Sequence, residues 1–188
     1  MEPVTLRTAR LELTLPDEGD IDAIYAACQD AGIQRYTTVP SPYELRHAEE
    51  FVVRVAKGWA EGVEFSWVVR DAGTLAAMVG LYRPAAGQAE LGYWTAPAAR
   101  GRGVMTEAAR AVVDWGFSPE GLDRQRIEWR AAVGNVPSAR VARSLGFRYE
   151  GTLRDALRNG AGVRADSWIG GLLPRDDRSP QAWPVLES

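Results

Sequence analysis

The sequence predicts one mixed α/β domain, and three observations predict it. Strand-like and helix-like segments follow one another as β-αα-βββ-α-β-α-ββ, not as the strict βαβαβ alternation of a doubly wound nucleotide-binding fold. The 188 residues fit one domain with ample core. No repeat or linker-like stretch divides the chain, so the domain is expected over residues 1–173, followed by a loose, polar, proline-containing tail over 174–188.

The elements follow in order. Residues 4–16 carry strand alternation at Leu11, Leu13 and Leu15. A helix follows, with Asp17 or Asp20 as cap and Ile21, Ile24, Tyr25 and Cys28 on one face. Residues 32–43 read as a loop punctuated by Pro40 and Pro42, and a second helix runs from Glu44 to about Trp59. Three strands come next, "VEFSWVVRD", "TLAAMVGLYRP" and "QAELGYWTA", the first two joined by a hairpin turn at Ala72 to Thr74. A helix spans about Gly103 to Gly116, and "RQRIEWRAAV" is a further strand. A short helix then has Asn135 as cap, Pro137 in its first turn and Gly146 as stop. "FRYEGTLRD" and "VRADSWIGGLL" pair as a last hairpin around residues 159–162.

Composition excludes several functions. Apolar content of 46%, charged content of 25% and a net charge of −3 describe an ordinary soluble chain, with no sign of a nucleic-acid or anionic-membrane surface. Cys28 is the only cysteine, so an internal disulfide and a CxxC metal knuckle are both out of reach, and a reducing cytoplasm is the expected home. His47 is the only histidine, which excludes a multi-histidine zinc site; in "ELRHAEEF" it reads as an exposed helix residue. The first residues lack a signal peptide's apolar core, and no apolar run approaches membrane-spanning length. No metal is expected.

The stretch "APAARGRGVMTEAARAVVDWGF" (residues 96–117) carries the chemistry. Pro97 ends the preceding strand, because it cannot donate to a ladder. Gly101 and Gly103 stand where a helix begins, although glycine weakens helices. The first N–H groups of that helix have no partner within it, and with the helix dipole they form an anion site. Arg100, Arg102 and Arg110 add positive charge. A phosphate or pyrophosphate is therefore one reading, and a tight strand-to-helix turn is the other. The phosphate-loop ATPase signature is excluded, because Lys57 is the only lysine. The dinucleotide fingerprint fails at Thr106.

The segments "LGYW", "RGRGVMTEA" and N-x-x-S followed by "LGF", in that order and spacing, resemble the Gcn5-related N-acetyltransferase (GNAT) superfamily, and more narrowly its ribosomal-protein N-terminal acetyltransferase (Rim-type) branch. The resemblance runs from "LRTARLEL" to "ADSWIGGLL", nearly the whole chain. It departs from the family motif at Ala98, where glutamine or arginine is usual. It implies a central twisted, mostly antiparallel sheet of about seven strands, flanked by about four helices and splayed at the cofactor site.

The resemblance also implies acetyl-CoA as donor. Its pyrophosphate is then expected on the backbone of Arg100, Gly101, Arg102, Gly103, Val104 and Met105, with the Thr106 hydroxyl nearby. Its pantetheine arm is expected along Leu91 to Thr95, pairing like an added strand. A backbone N–H near Tyr93, Trp94 or Thr95 would polarise the thioester carbonyl. Asn135 and Ser138 match the N-x-x-S pair: Asn135 would bond the coenzyme arm, and Ser138 would protonate the leaving sulfur. Helix capping also explains both residue types.

Glu90 is the first candidate base. Strand alternation places it with Gly92 and Trp94 on one face, where a small Gly92 leaves room beside the thioester. An edge ion pair with an arginine such as Arg83 is the other reading. Glu64 is an alternative base, and Glu107 reads as a first-turn acid favoured by the helix dipole. Trp94, Tyr36 and Trp67 are candidate walls of the acceptor site, against a core role.

The expected activity is acetyl transfer to a primary amine by direct attack in a ternary complex. Residues 32–43 and 152–166 would line the acceptor side, and neither carries the acidic run that a polycationic acceptor would call for. That favours a protein or peptide N-terminal α-amine. A small-molecule amine acetyltransferase and a non-catalytic acyl-CoA sensor are the alternatives. Homodimers are common in the family, so a second copy is a candidate partner.

Overall fold

The expected first strand is two: β1 (Leu6–Arg7) and β2 (Leu11–Thr14), folded back on one another. The reversal is held by Thr8, whose N–H donates to the Leu11 carbonyl at 3.0 Å and whose hydroxyl accepts the Leu11 N–H at 2.9 Å. The structure, a computed structural model, describes residues 1–85 and 87–187, without the side chains of residues 83–85.

A single 3-10 turn capped by Asp17 leads into α1 (Ile21–Ala27). The stretch expected as a loop contains a further helix, α2 (Ala31–Tyr36), because Asp30 caps it by accepting the Ile33 N–H at 2.9 Å. Then come α3 (Leu45–Glu61), β3 (Glu64–Asp71), β4 (Thr74–Ala85), β5 (Gln88–Thr95), α4 (Val104–Phe117), β6 (Arg126–Ala132), α5 (Val136–Ser144), β7 (Arg148–Arg158) and β8 (Arg164–Leu172). Among the described residues the result is an eight-stranded sheet with five α-helices, one strand and one helix more than expected, in a mixed α/β domain.

The strand order is β1-β2-β3-β4-β5-β6-β8-β7. Every pairing is antiparallel except β5 with β6, which are parallel. Alternation sorts side chains to two faces. Phe65, Trp67, Val79, Leu81 and Leu91 pack with Ala108, Val112 and Val113 of α4 in the larger core. Ile24, Ile33, Tyr43, Ala48 and Val52 form a second core under Trp94.

The tail from Pro174 is not loose along its whole length. Trp183 is fully buried, donates its indole N–H to the Phe147 carbonyl at 3.0 Å, and packs 5.3 Å from the Trp129 ring. Burying an indole with its N–H satisfied stabilises the chain around it. Among the described residues, no helix is long and apolar enough to cross a membrane.

Candidate active site

The turn from β5 into α4 is built from glycine geometry. Pro97–Ala99 forms one 3-10 turn, and Arg100 is extended. Gly101 and Gly103 both sit at φ +72°, the left-handed region that L side chains avoid. A Cβ at Gly101 would meet nothing within 4 Å, so there the glycine answers to backbone conformation and leaves open space beside the loop. Gly103 is the N-cap of α4 and supplies no side-chain acceptor. The first N–H groups of α4 therefore point, with the helix dipole, into space that neither glycine fills, with the Arg10 guanidinium 3.8 Å from where a Cβ on Gly103 would stand. That donor set fits a pyrophosphate.

The arginines behave differently from the expectation that their charge serves the anion. Arg100 is bidentate on Asp30, at 2.6 and 3.2 Å, and Arg102 pairs with Asp71 at 2.7 Å. Arg110 donates to the Ser144 carbonyl at 3.2 Å, and the Thr106 hydroxyl lies 3.4 Å from that of Ser144. Glu107 takes hydrogen bonds from the Thr8 hydroxyl at 2.5 Å and from Arg10 at 2.8 Å, which hold its carboxyl below the usual value. Arg10 also donates to the Arg102 carbonyl at 2.8 Å, bracing the loop from outside.

Beyond the loop the sheet opens. β5 pairs with β6 only from Gln88 to Leu91, against Arg126 to Trp129. Past that point β5 stays with β4 as far as Thr95, while β6 follows β8 as far as Ala132. The strands part around a cleft of about 760 Å³, lined by Gly92, Tyr93 and Trp94 on one side and Trp129 to Ala132 on the other. The freed edge of β5 can pair with an extended arm, as the pantetheine of a coenzyme would require.

Asn135 and Ser138 line this cleft. Asn135 caps α5 by accepting the Ser138 N–H at 3.4 Å, so the capping role is present. The Ser138 hydroxyl accepts the Trp129 indole N–H at 3.0 Å and lies 3.1 Å from the Tyr93 hydroxyl. Tyr93 in turn lies 2.9 Å from the Ser138 carbonyl. Burial pushes the Tyr93 phenol up, against the opposing hydrogen bond from Ser138, so it stays protonated. From sequence, Tyr93 is expected to act only through its backbone, and nothing local points to Trp129. Both meet Ser138 through a parallel strand pairing that no local pattern announces.

Glu90 also lines the cleft. It stands directly opposite Tyr82 of β4, and Gly92 opposite Gly80. The space at Gly92 is taken by the Tyr82 ring, whose nearest carbon would be 2.9 Å from an added Cβ, and not kept free for a thioester. Arg83, the candidate partner of Glu90, has its side chain outside the described residues. Glu64 is buried with Arg54 and Ser66 as partners.

Of the aromatic candidates, Tyr36 and Trp94 line the cleft. Trp67 does not: it is fully buried, edge-on to Trp59 and Trp115, with its indole N–H on the Val4 carbonyl at 2.7 Å. His47 sits at the rim, its Nδ1 accepting the Glu44 N–H at 3.0 Å at the start of α3.

Two segments far apart in sequence join at one end of the cleft. The Gly160 N–H donates to the Thr37 carbonyl at 3.3 Å, and the Asn159 amide donates to the Arg35 carbonyl at 3.3 Å. Contact is so close that a Cβ on Gly160 would stand 1.6 Å from the Val39 oxygen. The β7–β8 turn and the segment after α2 thus close one rim of the cleft.

Known proteins share this fold. Residues 10–148 match the Acetyltransferase (GNAT) domain family. The chain is 28% identical over 176 residues to the uncharacterized N-acetyltransferase p20 of Bacillus licheniformis, covering 92% of this chain and 97% of that protein. Its fold resembles that of RimL, a ribosomal L7/L12 alpha-N-protein acetyltransferase solved with coenzyme A, at TM-score 0.80 and 20% identity, over 90% of this chain and 98% of that one. It also resembles RimJ of Mycobacterium smegmatis, solved with a coenzyme A disulfide, at TM-score 0.78 and 21% identity, over 93% of this chain and 90% of that one. With this family match over most of its length, a parted β5–β6 pair and a glycine-capped start to α4, the chain belongs to the GNAT acetyltransferases, acyltransferases that take acetyl-CoA as donor.

Proposed function

We propose that this protein acetylates the α-amine of a protein or peptide N-terminus, ribosomal proteins being the first class to test, by direct attack within a ternary complex. The observation that carries the reading is the joined rim, where residues 159–160 meet residues 35–39. A closed rim favours an acceptor that enters by its end over one that lies across the cleft. RimL, alike in fold, acts on a ribosomal protein's α-amine by its name, which supports the same class.

The chemistry asks little of an α-amine. Its pKa is about 8, so on the order of a tenth is neutral at pH 7, whereas a lysine amine near 10.4 needs about two further units of help. The backbone from Arg100 to Met105 holds the donor's pyrophosphate, with Thr106 and Asn135 beside it. A backbone N–H among Tyr93, Trp94 and Thr95 steadies the oxyanion. Glu90 meets the incoming ammonium and is the first candidate base, and Ser138 protonates the leaving sulfur.

The test is release of coenzyme A thiol from acetyl-CoA across a panel of acceptors. The panel holds peptides with free and with blocked N-termini, lysine peptides, aminoglycosides, polyamines and amino acids. Turnover confined to free N-termini supports the reading. Turnover confined to a small amine overturns it in favour of a small-molecule acceptor.

A further inference from the structure

Glu64 on β3, Tyr82 on β4 and Glu90 on β5 stand opposite one another in one row of the sheet. The next row on the same face is Ser66, Gly80 and Gly92. Tyr82 lines the cleft, whereas Ser66 and Glu64 are buried behind it. The Ser66 hydroxyl lies 3.1 Å from the Tyr82 hydroxyl and 3.1 Å from Oε1 of Glu64. A carboxylate only accepts, and a serine has one proton. When Ser66 donates to Glu64, the Tyr82 O–H donates to Ser66. The other Glu64 oxygen accepts from Arg54. Glycines give this chain its room: an added Cβ would stand 2.7 Å from the Ser66 oxygen at Gly80, 2.9 Å from the Tyr82 ring at Gly92, and 2.7 Å from the Glu64 Cβ at Gly58.

We propose that these three side chains form a relay that carries the attacking amine's proton out of the cleft, from Tyr82 through Ser66 to Glu64. The inference rests on amine acetylation, and it holds whichever amine is the acceptor. It leaves Glu90 to pair with the incoming ammonium and gives the proton another destination.

As the nitrogen attacks, the N–C bond forms and the carbonyl electron pair moves onto oxygen. The nitrogen's proton passes to a lone pair of the Tyr82 oxygen. The Tyr82 proton moves to Ser66, and the Ser66 proton moves to Glu64, which becomes a neutral carboxyl. Collapse restores the carbonyl and breaks the C–S bond, and the thiolate takes a proton from Ser138, which water replaces. Glu64 gives its proton to water past Arg54, whose side chain is 57% exposed. The products are an amide and a thiol, and no other reactant is needed. Burial raises the Tyr82 phenol, so it hands protons on as a neutral hydroxyl.

Tyr82 touches the amine; Ser66 and Glu64 are positioning residues that act through it. The experiment measures thiol release from acetyl-CoA with trifluoroethylamine, glycinamide and ethylamine, three small amines of rising basicity. Wild type is compared with Tyr82→Phe, Ser66→Ala and Glu64→Gln. Each variant is expected to lose about tenfold or more in kcat with ethylamine and about threefold or less with trifluoroethylamine, at unchanged KM for acetyl-CoA. Equal losses across the series signal a packing role and overturn the relay. So does an unaffected Ser66→Ala; where wild type turns over only peptides, the same comparison is read between peptides whose N-terminal amines differ in basicity. The expected pattern without any turnover of N-terminal peptides upholds the relay and fails the peptide acceptor.

Discussion

The Asp30 carboxylate joins two parts of the site. It receives Arg100 of the phosphate loop through two contacts, the shorter 2.6 Å, and the same oxygen caps α2 by accepting the Ile33 N–H at 2.9 Å. The Arg100 bonds are the main reason its carboxyl sits below the usual value. The β5–α4 turn and the start of α2 are therefore tied through one side chain. Asp30→Ala is expected to destabilise the fold by about 1 kcal/mol, most of it from the lost cap, because an exposed ion pair adds little. A melting temperature lower by about 2–4 °C checks this.

Gly103 tests the phosphate cradle. At φ +72° an L residue is strained, and an acid there would also set a negative charge against the bound pyrophosphate. Gly103→Asp is expected to weaken acetyl-CoA binding by about tenfold or more, read by isothermal titration calorimetry. Unchanged affinity would remove the cradle from the donor site.

Ser138 has two partners, so its removal has two effects. Ser138→Ala is expected to lower kcat by about a hundredfold at nearly constant KM for acetyl-CoA, the size of a lost general acid. It also leaves the Trp129 indole N–H without its acceptor, at a cost of about 1–3 kcal/mol. Steady-state kinetics and thermal melts separate the two. A variant that melts lower with full kcat would make Ser138 structural only.

The Glu107 carboxyl is depressed in the fold, chiefly by Thr8 and then by Arg10. A depressed folded value contributes stability above the unfolded value, near 4.5, and loses it as pH falls through the folded one. The stability difference between wild type and Glu107→Gln is expected to shrink as pH falls from 6 to about 3. Urea melts across that range check it, and a difference that grows on acidification contradicts the assignment.

Burial pushes the Cys28 thiol up to about 12, which keeps it unionised and unreactive at neutral pH. A thiol reagent is expected to label no cysteine in the native protein and one after denaturation. Coenzyme A release can then be read without background from the chain itself.

Much was legible in the sequence because it is local. Asn135 caps α5, with Pro137 in its first turn, because a cap needs only neighbouring residues. Gly101 and Gly103 announced a tight turn ahead of a helix, and the β3–β4–β5 meander followed from alternation and short turns. What stayed hidden depends on contacts between distant residues. α2 has six residues, too few for periodicity to show. The tail looked polar, yet Trp183 reaches a slot beside Trp129 that exists only once the sheet is formed. The sequence alone determined the family, and offered the β5–α4 turn and Ser138 as candidates. Only the tertiary structure decided that Tyr93 and Trp129 converge on Ser138, that the Tyr82 ring fills the space at Gly92, and that residues 159–160 close the rim against residues 35–39. Strand order and register set those distances, and they follow from burial summed over the whole sheet and not from any local run of residues.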